Sequence, residues 1–151
     1  MSAATSNKSA FESAVEMLSR AEYSKSRLIS KLLIKGYEEE EIESAVTRLE
    51  ELRYLNDAEA VKSRFKFLYN ESKNSVREIK YKLLRKGFSA EDVENAAEDA
   101  DEERELAAAL KALRIKYRRK KEPDKMRGYL YRHGFTSDVC YAAVNEFLES
   151  E

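Results

Sequence analysis

Almost everything needed to build a reaction centre is scarce in this chain. It has one histidine, one cysteine, one proline and no tryptophan among 151 residues. One cysteine cannot form a disulfide framework. With no second histidine and no paired cysteine, neither a zinc site nor a Cys-His nucleophile can be completed. Carboxylates are plentiful, but they fall in runs typical of solvated helix starts, where nothing suggests the raised pKa that acid-base work needs. Catalysis is therefore not expected, and neither is a cofactor or a metal. Only four glycines punctuate the sequence, and no segment alternates apolar and polar residues as a half-buried strand would. No run approaches ~18 apolar residues and the opening MSAATSNKS is polar, so neither a membrane span nor a secretory signal is expected. The expectation is a monomer in the reducing cytoplasm.

What the chain does have is a repeat. SKSRLISKLLIKGYEEEEIESAV (24–46) recurs as VREIKYKLLRKGFSAEDVENAA (76–97) and as DKMRGYLYRHGFTSDVCYAAV (124–144). Aligned at the glycine, Leu28/Ile79/Met126, Leu32/Leu83/Leu130, Gly36/Gly87/Gly134, Tyr37/Phe88/Phe135, Ile42/Val93/Cys140 and Ala45/Ala96/Ala143 match in kind. A period near fifty residues identifies a repeat protein. Each copy reads as helix, glycine stop, helix. Apolar positions recur at helical spacing, a cation precedes the glycine, and the glycine falls where a left-handed residue closes a helix. Acids (Glu38 to Glu41) or a capping Ser89 or Thr136 open the next helix, and Ser89 with Asp92 resembles a capping box. On this alignment Cys140 is a buried apolar residue, and His133 is a helix-end group like Lys35 and Lys86.

The fold expected is all-α: three tandem three-helix repeats forming an elongated, curved array. Residues 1–9 are read as a disordered tail, with modules at 10–53, 54–98 and 99–151. Each module is too small to bury a core alone and leans on its neighbour. Charged residues make up 38% of the chain, against roughly 25% in typical globular domains, as suits a thin body with much surface.

The net charge of −1 hides a segregation. From Lys62 to Lys86 there are nine basic residues against two acids, and from Leu106 to His133 ten against two. Acids concentrate in the third helices and in the joint EDADEERE (98–105). Such separation serves either plain solubility or contact with a polyanion or mixed-charge partner. In the second module, Arg77, Tyr81 and Arg85 fall at i, i+4 and i+8, away from Ile79 and Leu83, with Lys80 beside them. In the third, a helix running to Pro123 is expected to carry Lys111, Arg114, Arg118 and Lys121 as a cationic stripe opposite Leu106, Leu110, Leu113 and Tyr117, with Arg119 alongside. These nine side chains are the candidate binding residues.

The unit R-L-x-x-K-L-L-x-K-G-[YF]-x-x-E-x-I-E-x-A, best seen from Arg27 to Ala45, resembles the RecX family. The resemblance continues through YLND, Ala60, Ser63 and Arg64, then REIKYKLLRKGF and LYRHGF, and so covers nearly all of the chain after residue 9. It departs from the family ahead of the second unit, where a glycine-rich turn is usual and NSV stands, which leaves open the angle between the first two helices of that module. The resemblance implies a small cytoplasmic protein that binds the RecA recombinase filament and modulates, generally inhibits, its strand exchange, ATPase and coprotease activities, without catalysis of its own. Two other readings of the residues stay open: direct single-stranded DNA binding through the basic residues with Tyr81 or Tyr117 stacking, and a general helical scaffold.

Overall fold

The computed structural model describes residues 8–119 and 122–150. Among them, nine helices and no strand are found, running α1 Ala10–Arg20, α2 Lys25–Ile34, α3 Glu39–Glu51, α4 Asp57–Glu71, α5 Val76–Arg85, α6 Ala90–Ala96, α7 Glu102–Lys116, α8 Pro123–Arg132 and α9 Ser137–Glu149. The chain is all-α.

The helix starts are written in short polar side chains. Ser9, Ser24, Asn56, Ser75, Ser89, Asp101 and Thr136 each sit in extended backbone, and each accepts a hydrogen bond from the amide three residues on. Each thereby satisfies an amide that the helix itself leaves without a partner. The full capping box lies at Ser9 and Glu12, not at Ser89 and Asp92. Asp92 makes only half of one: its amide donates to Ser89, but its shorter carboxylate does not return the bond. Ser9, placed by the sequence in a disordered tail, is thus the first cap of the fold. Of that tail, Lys8 is also held, its carbonyl accepting from the Tyr37 hydroxyl, and residues 1–7 lie outside the described residues.

The middle helices α2, α5 and α8 end alike. The amides of Gly36 and Tyr37 donate to the carbonyls of Leu33 and Leu32, those of Gly87 and Phe88 to Leu84 and Leu83, and those of Gly134 and Phe135 to Tyr131 and Leu130. This is the Schellman pairing, and the three glycines take φ of 101°, 101° and 95°, a region where a Cβ costs roughly 1–2 kcal/mol. The aromatic that follows folds back onto the core: Tyr37, Phe88 and Phe135 are all buried.

Three separate hydrophobic cores result. Leu28 and Leu32 pack with Ala14, Ile42, Val46 and Leu49; Ile79 and Leu83 with Val61, Phe65 and Val93; Met126 and Leu130 with Ala109, Leu113, Cys140 and Val144. The paired positions of each middle helix are fully buried, each side chain worth about 1.5–3 kcal/mol in transfer from water. Dividing the core leaves much surface.

Helix α7 departs from expectation. It stops at Lys116, Tyr117 is extended, and Pro123 opens α8 instead of closing α7. Tyr117 turns its ring edge-on to Tyr129, with centroids 5.9 Å apart. Continuing the helix would have stacked the cations from Arg114 to Lys121 at mutually repelling spacings. The inward face of α7 is also broader than the leucine stripe, since Ala108, Ala109 and Ala112 are buried with it. Alanines let α9 approach closely.

The joints repeat as well. The Ser24 hydroxyl donates to the Lys86 carbonyl at 2.7 Å, and the Ser75 hydroxyl to the His133 carbonyl at 2.7 Å. The N-terminus of each of these middle helices therefore meets the C-terminus of the next module's middle helix. A carboxylate from the next module closes each start: Asp57 accepts from the Lys25 amide at 2.9 Å, and Glu105 from the Val76 amide at 3.1 Å. A Cβ on Gly87 would lie 2.4 Å from Ser26 Oγ and 2.5 Å from Ser24 Oγ, and one on Gly134 2.5 Å from Ser75 Oγ. These two glycines serve both the backbone angle and the close approach between modules.

Arg104 secures the second joint. Its guanidinium donates to the carbonyls of Tyr69 (2.7 Å), Asn74 (2.7 Å) and Leu68 (3.2 Å) and to Glu105 (2.7 Å), and it lies 4.8 Å from the Tyr69 ring. It binds across the turn in which NSV replaces the usual glycines, so that turn is fixed by an arginine from the next module.

Candidate functional site

The helical spacing of α5 puts Ile79 and Leu83 in the core and turns Arg77, Tyr81 and Arg85 to solvent. Tyr81 is 60% exposed, and the Arg85 guanidinium stands 5.7 Å from its ring, within cation-π range. Lys80 reaches sideways to Glu94 on α6 at 3.0 Å. Arg77, Lys80 and Tyr81 line a cleft of about 550 Å³ closed by Leu84, Glu94 and the Arg132–Gly134 end of α8. An exposed aromatic flanked by cations offers a stacking surface and counter-charges together.

The α8 side of that cleft was not legible as a site. His133 Nδ1 lies 2.7 Å from Glu78 Oε2, and its ring is 4.6 Å from that of Tyr129. It still caps α8, as expected, but it also ties α8 to α5. The Tyr129 hydroxyl is pushed above its ordinary pKa by burial first, and then by the charge of Glu78. Arg132 enters the cleft only because the joint folds the end of α8 against α5. Its one sequence signal was that it precedes His133, at a helix end.

The candidates of the third module are dispersed. Lys111 donates its ammonium to the Glu71 carbonyl at the end of α4, 3.1 Å away, and so serves the joint. Arg114 is exposed on α7, beside Ile115, which is 59% exposed. Arg118 and Arg119 are exposed but lie beyond the end of α7, so the single-helix stripe is broken. Lys121 lies outside the described residues. None of the described ones, Lys111, Arg114, Arg118 and Arg119, lines the α5 cleft.

Cys140 is buried in the third core, where burial holds its thiol above the ordinary pKa. No helix among the described residues is long and apolar enough to cross a membrane.

The described residues form an array of three-helix modules that presents charged and aromatic faces, a fold of the helical-repeat class. The profile of the first three-helix domain of RecX matches residues 10–49. The regulatory protein RecX of Caldanaerobacter subterraneus subsp. tengcongensis is 32% identical over 142 residues, covering 91% of this chain and 70% of the relative. That of Vibrio vulnificus is 33% identical over 140 residues, covering 89% and 91%. The crystal structure of RecX from Lactobacillus salivarius superimposes with a TM-score of 0.78 at 20% identity, covering 91% of this chain and 94% of the other. The chain belongs to the RecX family, and its role is regulatory.

Proposed function

We propose that this protein attaches to the DNA filament of the RecA recombinase and lowers its strand exchange, ATPase and coprotease activities. It acts in the cytoplasm as a monomer, without catalysis of its own, through modules spanning 10–53, 54–98 and 99–151. Family membership supports the reading at the level of regulation, and one observation carries it further. The α5 face sets Tyr81, 60% exposed, among Arg77, Lys80 and Arg85, beside a cleft that Arg132 closes. Basic and aromatic groups on an elongated body suit contact with phosphate and stacked bases along a filament, and the acidic third helices suit basic protein surface. Arg114, Arg118, Arg119, Lys111 and Lys121 extend the proposed contact into the third module.

The same exposed tyrosine favours a second reading, direct binding of single-stranded DNA. The two separate in a titration of RecA ATPase on single-stranded DNA, run beside binding to the bare strand. Inhibition at concentrations well below those that saturate bare DNA supports the filament; equal concentrations support the strand alone.

A further inference from the structure

The repeat makes every position of one joint comparable with a position of the other, and the two side chains that meet across the second joint differ in charge from their counterparts in the first. At the second joint the pair is Glu78 and His133, in contact at 2.7 Å. The first joint has Arg27 and Lys86 at the same places relative to their glycines. The joints share two further contacts: Ser24 and Ser75 bond the facing carbonyl, and Asp57 and Glu105 take the first amide. One joint thus has a carboxylate and a histidine where the other has two cations.

Arg27 and Lys86 line a cleft of about 230 Å³ with Lys31, Arg64, Tyr23 and Glu22. Glu22 is held by Arg64 at 3.6 Å, and Lys31 lies 5.9 Å from the Tyr23 ring. Four cations therefore face one carboxylate, and among the described residues no carboxylate pairs with Arg27, Lys31 or Lys86. Among the described helices, α2 alone has no acid in its first turn, so the positive end of its dipole adds to the excess. Asp57, which closes that helix start, does not line the cleft.

We propose that this cleft binds a phosphate group, free or within a phosphodiester chain, which bridges Arg27 and Lys86 and links the two modules as the Glu78–His133 contact links them at the other joint. An excess of three positive charges suits the double charge of phosphate better than a single carboxylate. Two guanidiniums offer the forked donors that phosphate oxygens accept. Occupancy draws the first module onto the second, so a bound phosphate stiffens the array at the joint that has fewer side-chain bonds. The inference does not require the filament reading, since it concerns the isolated protein.

The test is a titration of the isotope-labelled full chain with inorganic phosphate, against chloride at equal ionic strength, followed by amide resonances. Saturable shifts are expected at Ser26, Arg27, Lys86 and Gly87. Arg27→Glu gives the first joint the carboxylate that Glu78 provides at the second and should weaken the apparent Kd about tenfold or more, as loss of a charge-assisted contact implies; Lys86→Ala should act in the same direction. The unshifted remainder of each spectrum reports an intact fold. A parallel titration with a short oligothymidylate separates the sources: saturation at these amides by the oligonucleotide alone assigns a phosphodiester, and saturation by both assigns any phosphate group. Linear, unsaturating shifts with both probes, or an Arg27→Glu variant that saturates at wild-type concentrations, overturn the proposal.

Discussion

Replacing Arg104 with alanine should uncouple the third module from the second. The side chain is 11% exposed and its partner Glu105 15%, and its bonds reach three carbonyls of the preceding module. Those acceptors do not lose equally. The Leu68 carbonyl still accepts from the Ser72 amide and hydroxyl, but those of Tyr69 and Asn74 lose charge-assisted donors, each worth ~1.5–3 kcal/mol. Glu105 keeps the Val76 amide but loses its counter-ion. Breaking a buried pair by removing one member costs about 3–5 kcal/mol, and we expect Arg104→Ala to fall near the lower end because water can reach the turn. In a linear array such a loss is local. Urea unfolding followed by circular dichroism should broaden or split into two transitions, and hydrogen exchange should rise in α4 and α7 before α1 to α3. Arg104→Met with Glu105→Gln leaves no unpaired charge and should recover about 1 kcal/mol or more of the loss. A single transition within about 0.5 kcal/mol of wild type for Arg104→Ala, as a typical surface substitution would give, would refute the reasoning.

Three further outcomes follow from the backbone and the core. Gly134→Ala should cost more than the roughly 1–2 kcal/mol of its left-handed φ, because its Cβ would meet Ser75 Oγ; in a Ser75→Gly background that clash is removed, leaving the φ cost and the tight approach to Arg77 Cβ, and a double-mutant cycle by thermal melting reads the difference. Arg53 takes φ of 66° at the end of α3, so Arg53→Gly should stabilise by about 0.5–1 kcal/mol in urea unfolding. Burial raises the Cys140 thiol pKa in the folded state, so the folded protein keeps its proton where the unfolded chain gives it up. Stability should therefore be full below the ordinary thiol pKa of about 8.5 and decline as pH rises past it, and Cys140→Val should remove that decline.

The parts of the fold that one module determines were readable in order of residues alone. Leucine spacing, the glycine followed by an aromatic, and the capping serines each act within a few residues, and they placed Leu28, Leu32, Gly36 and Tyr37 correctly. What was missed depends on chain-distant partners. Arg104 looked like one cation in an acidic run, because its four acceptors lie on α4, on the turn that follows it and on its neighbour Glu105. His133 looked like a helix end, because Glu78 is brought to it only by the joint. Lys111 looked like part of a stripe, and its bond to the Glu71 carbonyl at the end of α4 was not visible. The α7 boundary failed for a different reason: Tyr117 keeps the apolar period of the helix but is drawn off to Tyr129. Within the candidate site, the α5 face was legible from i, i+4, i+8 spacing, whereas Arg132 and the cleft it closes were not.

The central claim is that the α5 face carries attachment to the RecA filament, and charge reversal tests it most directly. Arg77→Glu with Arg85→Glu alters exposed residues and should leave the helical signal unchanged. Its inhibition of RecA ATPase on single-stranded DNA should require a clearly higher concentration than wild type. If the two guanidiniums touch phosphate, the slope of log affinity against log salt should also fall by roughly 1–2 units. Arg114→Glu with Arg118→Glu, measured beside it, reports how far the contact extends into the third module. If the α5 double variant inhibits as wild type does across the whole salt series, that face is only a solvated surface, and the account of attachment is contradicted.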